Sequence, residues 1–239
     1  MKSSQVTAVA RTTLATFAVA LFCAPVAHAQ QSFGLFSTGI NSSGTTIATG
    51  SQDPYWTWQQ ASAADYPNIV LTGSPNETYV PTNEFGDWQP DVADQYHWVS
   101  STSNAAGNGG YSLWSTTFDL TDYDPTTATI TFKCVADNVF IRILLNGVAS
   151  TTASCGGSYN DYKFGSDYTL ASGFVAGDNT LSIFTTGDGQ TDGILFDVEN
   201  AQAVYSPPVT GATPEPASVL LMATGLVGLV PALRRRRRA

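Results

Sequence analysis

Between Gln30 and Ser206 no segment of useful length repeats its apolar residues at the helical period. Short runs of β-branched and aromatic residues recur instead, and Gly, Pro, Asn and Asp separate them. Such a chain cannot bury a helical stripe. It has to bury sheet faces, and many short strands with turn signals between them specify two sheets packed as a β-sandwich.

The pattern predicts strands at Tyr55–Gln60, Thr78–Val80, His97–Ser100, Ser112–Leu120, Ala128–Ala136, Val139–Leu145, Tyr168–Leu170, Thr180–Thr185, Gly193–Val198 and Ala203–Tyr205. Asn146-Gly147 suits a two-residue type I′ hairpin turn, whose central positions both need positive φ. Gly177-Asp178-Asn179 marks a second turn. Residues 101–110, Ser-Thr-Ser-Asn-Ala-Ala-Gly-Asn-Gly-Gly, read as a polar, flexible loop.

Both ends of the chain carry targeting chemistry. Lys2 and Arg11 precede a mostly apolar stretch from Leu14 to Val26, and Ala27-His28-Ala29 is an A-x-A cleavage site. Residues 1–29 are therefore expected to be a signal peptide, and residues 30–206 the exported β domain. Residues 207–216 form a proline-bearing linker that ends in Pro214-Glu215-Pro216. An uncharged apolar run, 217–233, is expected to cross the membrane as a helix. Its 17 residues would reach about 25 Å, and flanking arginines can cover the small deficit. Arg234, Arg235, Arg236, Arg237 and Arg238 dominate the 234–239 tail and hold it in the cytoplasm.

The tripeptide, the apolar helix and the terminal arginines, in that order, resemble the PEP-CTERM sorting signal of Gram-negative bacteria. That resemblance implies an exosortase, a membrane-embedded Cys protease, as partner. It also implies transient anchoring by the helix, then release to the cell surface or the extracellular space. A second resemblance rests on Phe118-Asp119-Leu120, Ala136-Asp137-Asn138, Leu145-Asn146-Gly147 and Phe174-Val175-Ala176-Gly177-Asp178-Asn179-Thr180-Leu181. These are similar to the strand and turn signatures of galactose-binding-like jelly-roll modules. The implied fold is an all-β jelly-roll sandwich. The name describes a fold and does not establish a ligand.

Charge narrows the partners. The exported region holds Lys133, Arg142 and Lys163 against eighteen acidic residues, a net −15. Such a surface repels nucleic acid and anionic polymers and attracts divalent cations. Cys134 and Cys155 remain after signal removal, and an oxidising compartment makes a disulfide the default, with two free thiols as the alternative.

Catalytic chemistry finds little support. His97 is the one histidine of the exported region, no Gly-x-Ser-x-Gly elbow exists, and zinc would lack His and Cys ligands. Eighteen carboxylates make a close pair easy to find, so glycoside hydrolysis is a weak reading. Calcium fits the oxygen-rich composition better. Asp119, Asp122 and Asp124 cluster, as do Asp188 and Asp192, but turn capping explains both clusters equally well. The jelly-roll resemblance implies Asp53 and Glu199 as outside candidates for calcium ligands, since such modules often bind calcium near the joined chain ends. For a sugar, Trp88 is the candidate stacking platform because Phe85-Gly86-Asp87-Trp88-Gln89-Pro90 reads as a loop. Trp56 reads as core and shares a strand face with Trp58. The expected function is an exported, non-enzymatic surface or matrix protein. A carbohydrate-binding module for exopolysaccharide is the first alternative, and a carboxylate-dependent glycoside hydrolase the second.

Overall fold

Ten strands in two antiparallel sheets form the domain in a computed structural model that describes residues 30–31, 33–61, 69–82, 85–156 and 162–206. Residues 1–29, read above as a signal peptide, the Pro214-Glu215-Pro216 linker, the apolar run at 217–233 and Arg234–Arg238 lie outside the described residues. In chain order the strands are β1 (Gln30–Gln31), β2 (Gln52–Ala61), β3 (Leu71–Tyr79), β4 (Gly110–Asp119), β5 (Tyr123–Asp137), β6 (Val139–Leu145), β7 (Val148–Ala149), β8 (Tyr168–Leu170), β9 (Asp178–Gly187) and β10 (Gly193–Tyr205). One sheet runs β1-β10-β5-β8 and the other β3-β2-β4-β9-β6-β7. No helix is present among the described residues.

The core lies between the sheets and is built by period-two alternation. Along β4, Ser112, Trp114, Thr116 and Phe118 are buried, and along β5, Ala128, Ile130, Phe132 and Cys134. Trp56, Trp114, Phe132 and Phe196 are fully buried, and Phe132 stacks on Phe196 with ring centroids 4.7 Å apart. Each such side chain contributes about 1.5–3 kcal/mol by leaving water.

Alternation fails at one end of β5 and β10, and the failure is informative. Cys134, Val135, Ala136 and Asp137 are all buried, as are Gly193, Ile194, Leu195 and Phe196. Unbroken burial means both sheet faces are covered. Val135 and Leu195 face a second cluster made by Trp88, Tyr96, Trp98, Ala105 and Tyr162, which lids the outer face of the smaller sheet. The lid sits close: a Cβ on Gly193 would lie 3.0 Å from the Val99 carbonyl and about as near Trp88 and Trp98.

Most expected strands are present. The β6 and β8 bounds match, and the expected Gly193–Val198 and Ala203–Tyr205 strands are one continuous β10. His97–Ser100 is instead lid backbone, touching the sheets through isolated bridges from Val99 to Ile194 and from Ser100 to Tyr79. Asn146 and Gly147 have φ of 53° and 77°, as the type I′ turn requires. The 101–110 loop is not free: Asp192 accepts from Ser100 Oγ at 2.7 Å, Ser101 N at 3.1 Å, Ser101 Oγ at 2.6 Å and Asn108 N at 3.3 Å.

The asparagines of the two turn signatures, Asn146 and Asn179, meet. Asn179 is fully buried and its Nδ2 donates to the carbonyls of Val175 (2.7 Å) and Gly177 (2.8 Å). Its Oδ1 accepts from Val175 N (2.9 Å) and from Asn146 Nδ2 (2.9 Å). Asn146 Oδ1 in turn accepts from Thr180 N at 2.9 Å. A side chain that satisfies three backbone groups and the Asn146 amide at once explains why asparagine occupies this turn.

Candidate functional site

A concavity of about 650 Å³ lies beside β10. The segment Leu35–Ser37 with Ile40 forms one wall, Asp94 and Gln95 a second, and Asp197–Ala201 the floor. A β-bulge shapes that floor. Val198 pairs with Phe132 and Asn200 with Thr131, so Glu199 is the extra residue between them. Strict alternation would bury one of two neighbours, but here Glu199 and Asn200 are both exposed.

The walls are fixed. Ser37 Oγ accepts from Val198 N at 2.9 Å, which ties the N-terminal segment to β10. Asp94 sits at φ 58°; its Oδ1 accepts from Thr46 N at 3.0 Å and its own N–H donates to Thr46 Oγ1 at 2.9 Å. Gly39 supports the same wall at φ 68°, where a Cβ would collide with His97. Phe36 lines the concavity and packs its ring against Tyr55 at 4.8 Å.

The site is acidic. Burial raises the Asp197 carboxyl above its ordinary value and Glu199 raises it further, while Lys133 and a hydrogen bond with Ser37 act the other way. Lys133 bridges Glu199 and Asp167, the latter at 3.4 Å, and its hydrogen bond to Glu199 pushes its ammonium pKa up. One ammonium therefore faces several carboxylates, and the lining of Asp94, Asp197 and Glu199 keeps a negative field.

Trp88 is not the exposed platform its loop-like sequence suggests. It is 2% exposed, stacks on Trp98 with centroids 4.1 Å apart, and donates Nε1–H to Asp137 Oδ2 at 2.7 Å. An edge of its ring borders a smaller depression with Phe85, Gly86, Gln89 and Pro90, but its faces are taken. The reason is the two-sided burial of Val135 and Leu195, which needs aromatic cover. Trp56 and Trp114 are core, and Trp58 packs against the same core.

Asp53 and Glu199, the candidate calcium ligands, each have other partners in the structure. Asp53 is fully buried, and its oxygens accept from Gly39 N at 2.8 Å and Tyr55 N at 2.9 Å. Burial pushes its pKa up to about 6 against the opposing hydrogen bonds. Glu199 is paired with Lys133. Among the described residues no three His, Cys, Asp or Glu side chains assemble a metal-holding group. Asp119 and Asp124 cap their own turns through Thr121 and Thr126, and Asp188 does so through Gln190. His97 Nδ1 lies 2.7 Å from Asp91 Oδ2 inside the lid. Cys134 and Cys155 form the disulfide, with Cα atoms 4.7 Å apart.

Asp94, Gln95, Asp197 and Phe36 were not singled out by the sequence. One signal for Asp197 was present: Asp197-Val198-Glu199-Asn200 interrupts an apolar run with three polar side chains near a bulge. Nothing local connects them to Phe36, which is some 160 residues away. No family model matches this chain, and no curated protein matches it.

Proposed function

We propose that the chain is an exported, non-enzymatic surface or extracellular-matrix protein, sorted by an exosortase through its C-terminal signal. The observation that carries this is the order Pro214-Glu215-Pro216, an uncharged apolar 217–233 and Arg234–Arg238. A proline on each side of Glu215 disfavours helix formation in a sequence of this kind, and an extended segment is the form a protease engages. The disulfide between Cys134 and Cys155 suits an oxidising compartment outside the cytoplasm.

Two features of the domain edges support this reading. Gln30, the residue after the A-x-A site, pairs with Val204 at the end of β10. Ser206 N still donates to Asp122 O at 2.7 Å, so the domain holds the chain up to that residue. Seven residues, 207–213, then separate it from Pro214. Extended, they reach about 23 Å, enough to hold a folded domain clear of the lipid surface while the tripeptide is cut. The sandwich itself is assigned to the galactose-binding-like jelly-roll type, supported by the mutual pairing of Asn146 and Asn179. The buried carboxylates Asp53, Asp137 and Asp192 all accept structural hydrogen bonds, which supports a non-catalytic role.

C-terminal peptide mapping of the surface protein tests the reading. The expected end lies near Pro214–Pro216, without Arg234–Arg238, and deletion of the exosortase leaves the tail attached. Mature protein that keeps its arginines in cells with an active exosortase would refute it.

A further inference from the structure

We propose that Asn108 is a self-modifying site: its side-chain amide is lost to water through a succinimide, and the carboxylate left behind unlatches the edge of the aromatic lid. This goes beyond the sorting reading and stands on different residues. The chain holds two Asn-Gly pairs, Asn108-Gly109 and Asn146-Gly147. A glycine after asparagine has no side chain to shield its backbone nitrogen, and its backbone turns freely. The Gly109 nitrogen attacks Asn108 Cγ and the bond from Cγ to Nδ2 breaks. The amide leaves as ammonia, carrying the proton that Gly109 N gives up. Water then opens the five-membered ring at either carbonyl and leaves aspartate or isoaspartate. The sum is amide plus water to carboxyl plus ammonia, and it needs no oxidant, reductant or cofactor.

The structure separates the two pairs. Asn146 is half-buried and its amide is held at both atoms. Its Nδ2 donates to Gly173 O at 3.0 Å and to Asn179 Oδ1 at 2.9 Å, and its Oδ1 accepts from Thr180 N at 2.9 Å. Asn108 is exposed, and its Nδ2 donates to Ser101 Oγ at 2.8 Å. The Asn108 side chain therefore has fewer bonds to break before Cγ can turn toward the next nitrogen.

The same contact decides what the reaction does. Asp192 is buried and its Oδ2 accepts the Ser101 hydroxyl proton at 2.6 Å, so Ser101 Oγ is left to accept from Asn108. A carboxylate at position 108 has no proton to give. It would face the lone pairs of Ser101 with the Asp192 carboxylate directly behind, and Asn108 N itself donates to that carboxylate at 3.3 Å. The latch holds a segment under strain. Ala105 sits at φ 59°, an unfavourable backbone for alanine, and is fully buried in the lid cluster with Trp88 and Trp98. Its carbonyl accepts from Asp192 N at 3.3 Å, and Gly107 N donates to Gln190 O at 3.1 Å. Weakening the bonds around Asp192 lets that strain relax outward, so the modification opens the lid slowly and irreversibly.

The test ages the exported protein in mildly alkaline buffer and follows both asparagines by peptide mapping, which reads the exchange of an amide for a carboxyl. Asn108 should convert about tenfold faster than Asn146, the scale of the extra hydrogen bonds that Asn146 must break. Asn108→Gln should stop the reaction in that peptide, because glutamine would have to close a six-membered ring. Asn108→Asp should speed hydrogen exchange at the Ser101 and Asp192 amides about tenfold, and the converted fraction of the aged parent should do the same. An Asn108 that stays intact over weeks, or converts no faster than Asn146, would overturn the site. Unchanged exchange in both the variant and the aged parent would overturn the unlatching. None of these outcomes touches the C-terminal mapping.

Discussion

Asp53→Asn isolates the energetic cost of a buried charge. Asp53 is sealed beneath the loop that carries Gly39, and two backbone N–H groups point at its carboxylate. Desolvation nevertheless wins and pushes its pKa from 3.8 up to about 6. A raised folded pKa means the native state binds its proton more tightly than the unfolded chain does. The associated stability is fully present below about pH 4 and is lost as pH rises through 6. At 1.36 kcal/mol per pKa unit the loss is about 3 kcal/mol. Asparagine cannot ionise, so the variant lacks this term. Urea unfolding of parent and variant at half-unit steps from pH 4 to pH 7 measures it. The stability of the parent relative to the variant should fall by about 3 kcal/mol across that window. Parallel curves would show that Asp53 is solvated and that the burial argument is wrong.

Two further perturbations probe the fold. Asn179→Ala should destabilise by about 2–5 kcal/mol in urea melts, because it strands the backbone of Val175 and Gly177 and the Asn146 amide; a loss below 1 kcal/mol would mean that water replaces those bonds. Cys155→Ser should cost about 3 kcal/mol by freeing a loop of 21 residues in the unfolded chain, and non-reducing mass spectrometry of the parent should recover Cys134 joined to Cys155.

The residues that were legible in the sequence share a local cause. Val139–Leu145 reads as a strand because its β-branched run and the following Asn146-Gly147 both act over a few residues. Cys134 and Cys155 were legible because they are the two cysteines between Gln30 and Ser206. The misreadings also share a cause. Trp88 lies in a stretch rich in Gly, Asp, Gln and Pro, which signals a loop but not whether that loop is covered. The answer lay in Val135 and Leu195, which interrupt the alternation of two other strands. His97–Ser100 was misjudged for the same reason: a β-rich run can lie on a sheet without joining it.

The sequence by itself determined that the domain is all-β and where its main turns fall, and it made a bond between Cys134 and Cys155 the default. These follow from periodicity, turn residues and composition, which act over a few neighbours or over the whole chain. Only the tertiary structure decided which aromatic faces are covered, that Asp53 is an internal staple beneath Gly39, and that Phe36, Asp94 and Glu199 line one concavity. Those facts depend on strand order and on a bulge between Val198 and Asn200. Strand order is set by the joint burial of both sheet faces, a condition spread over the entire domain and written in no single segment.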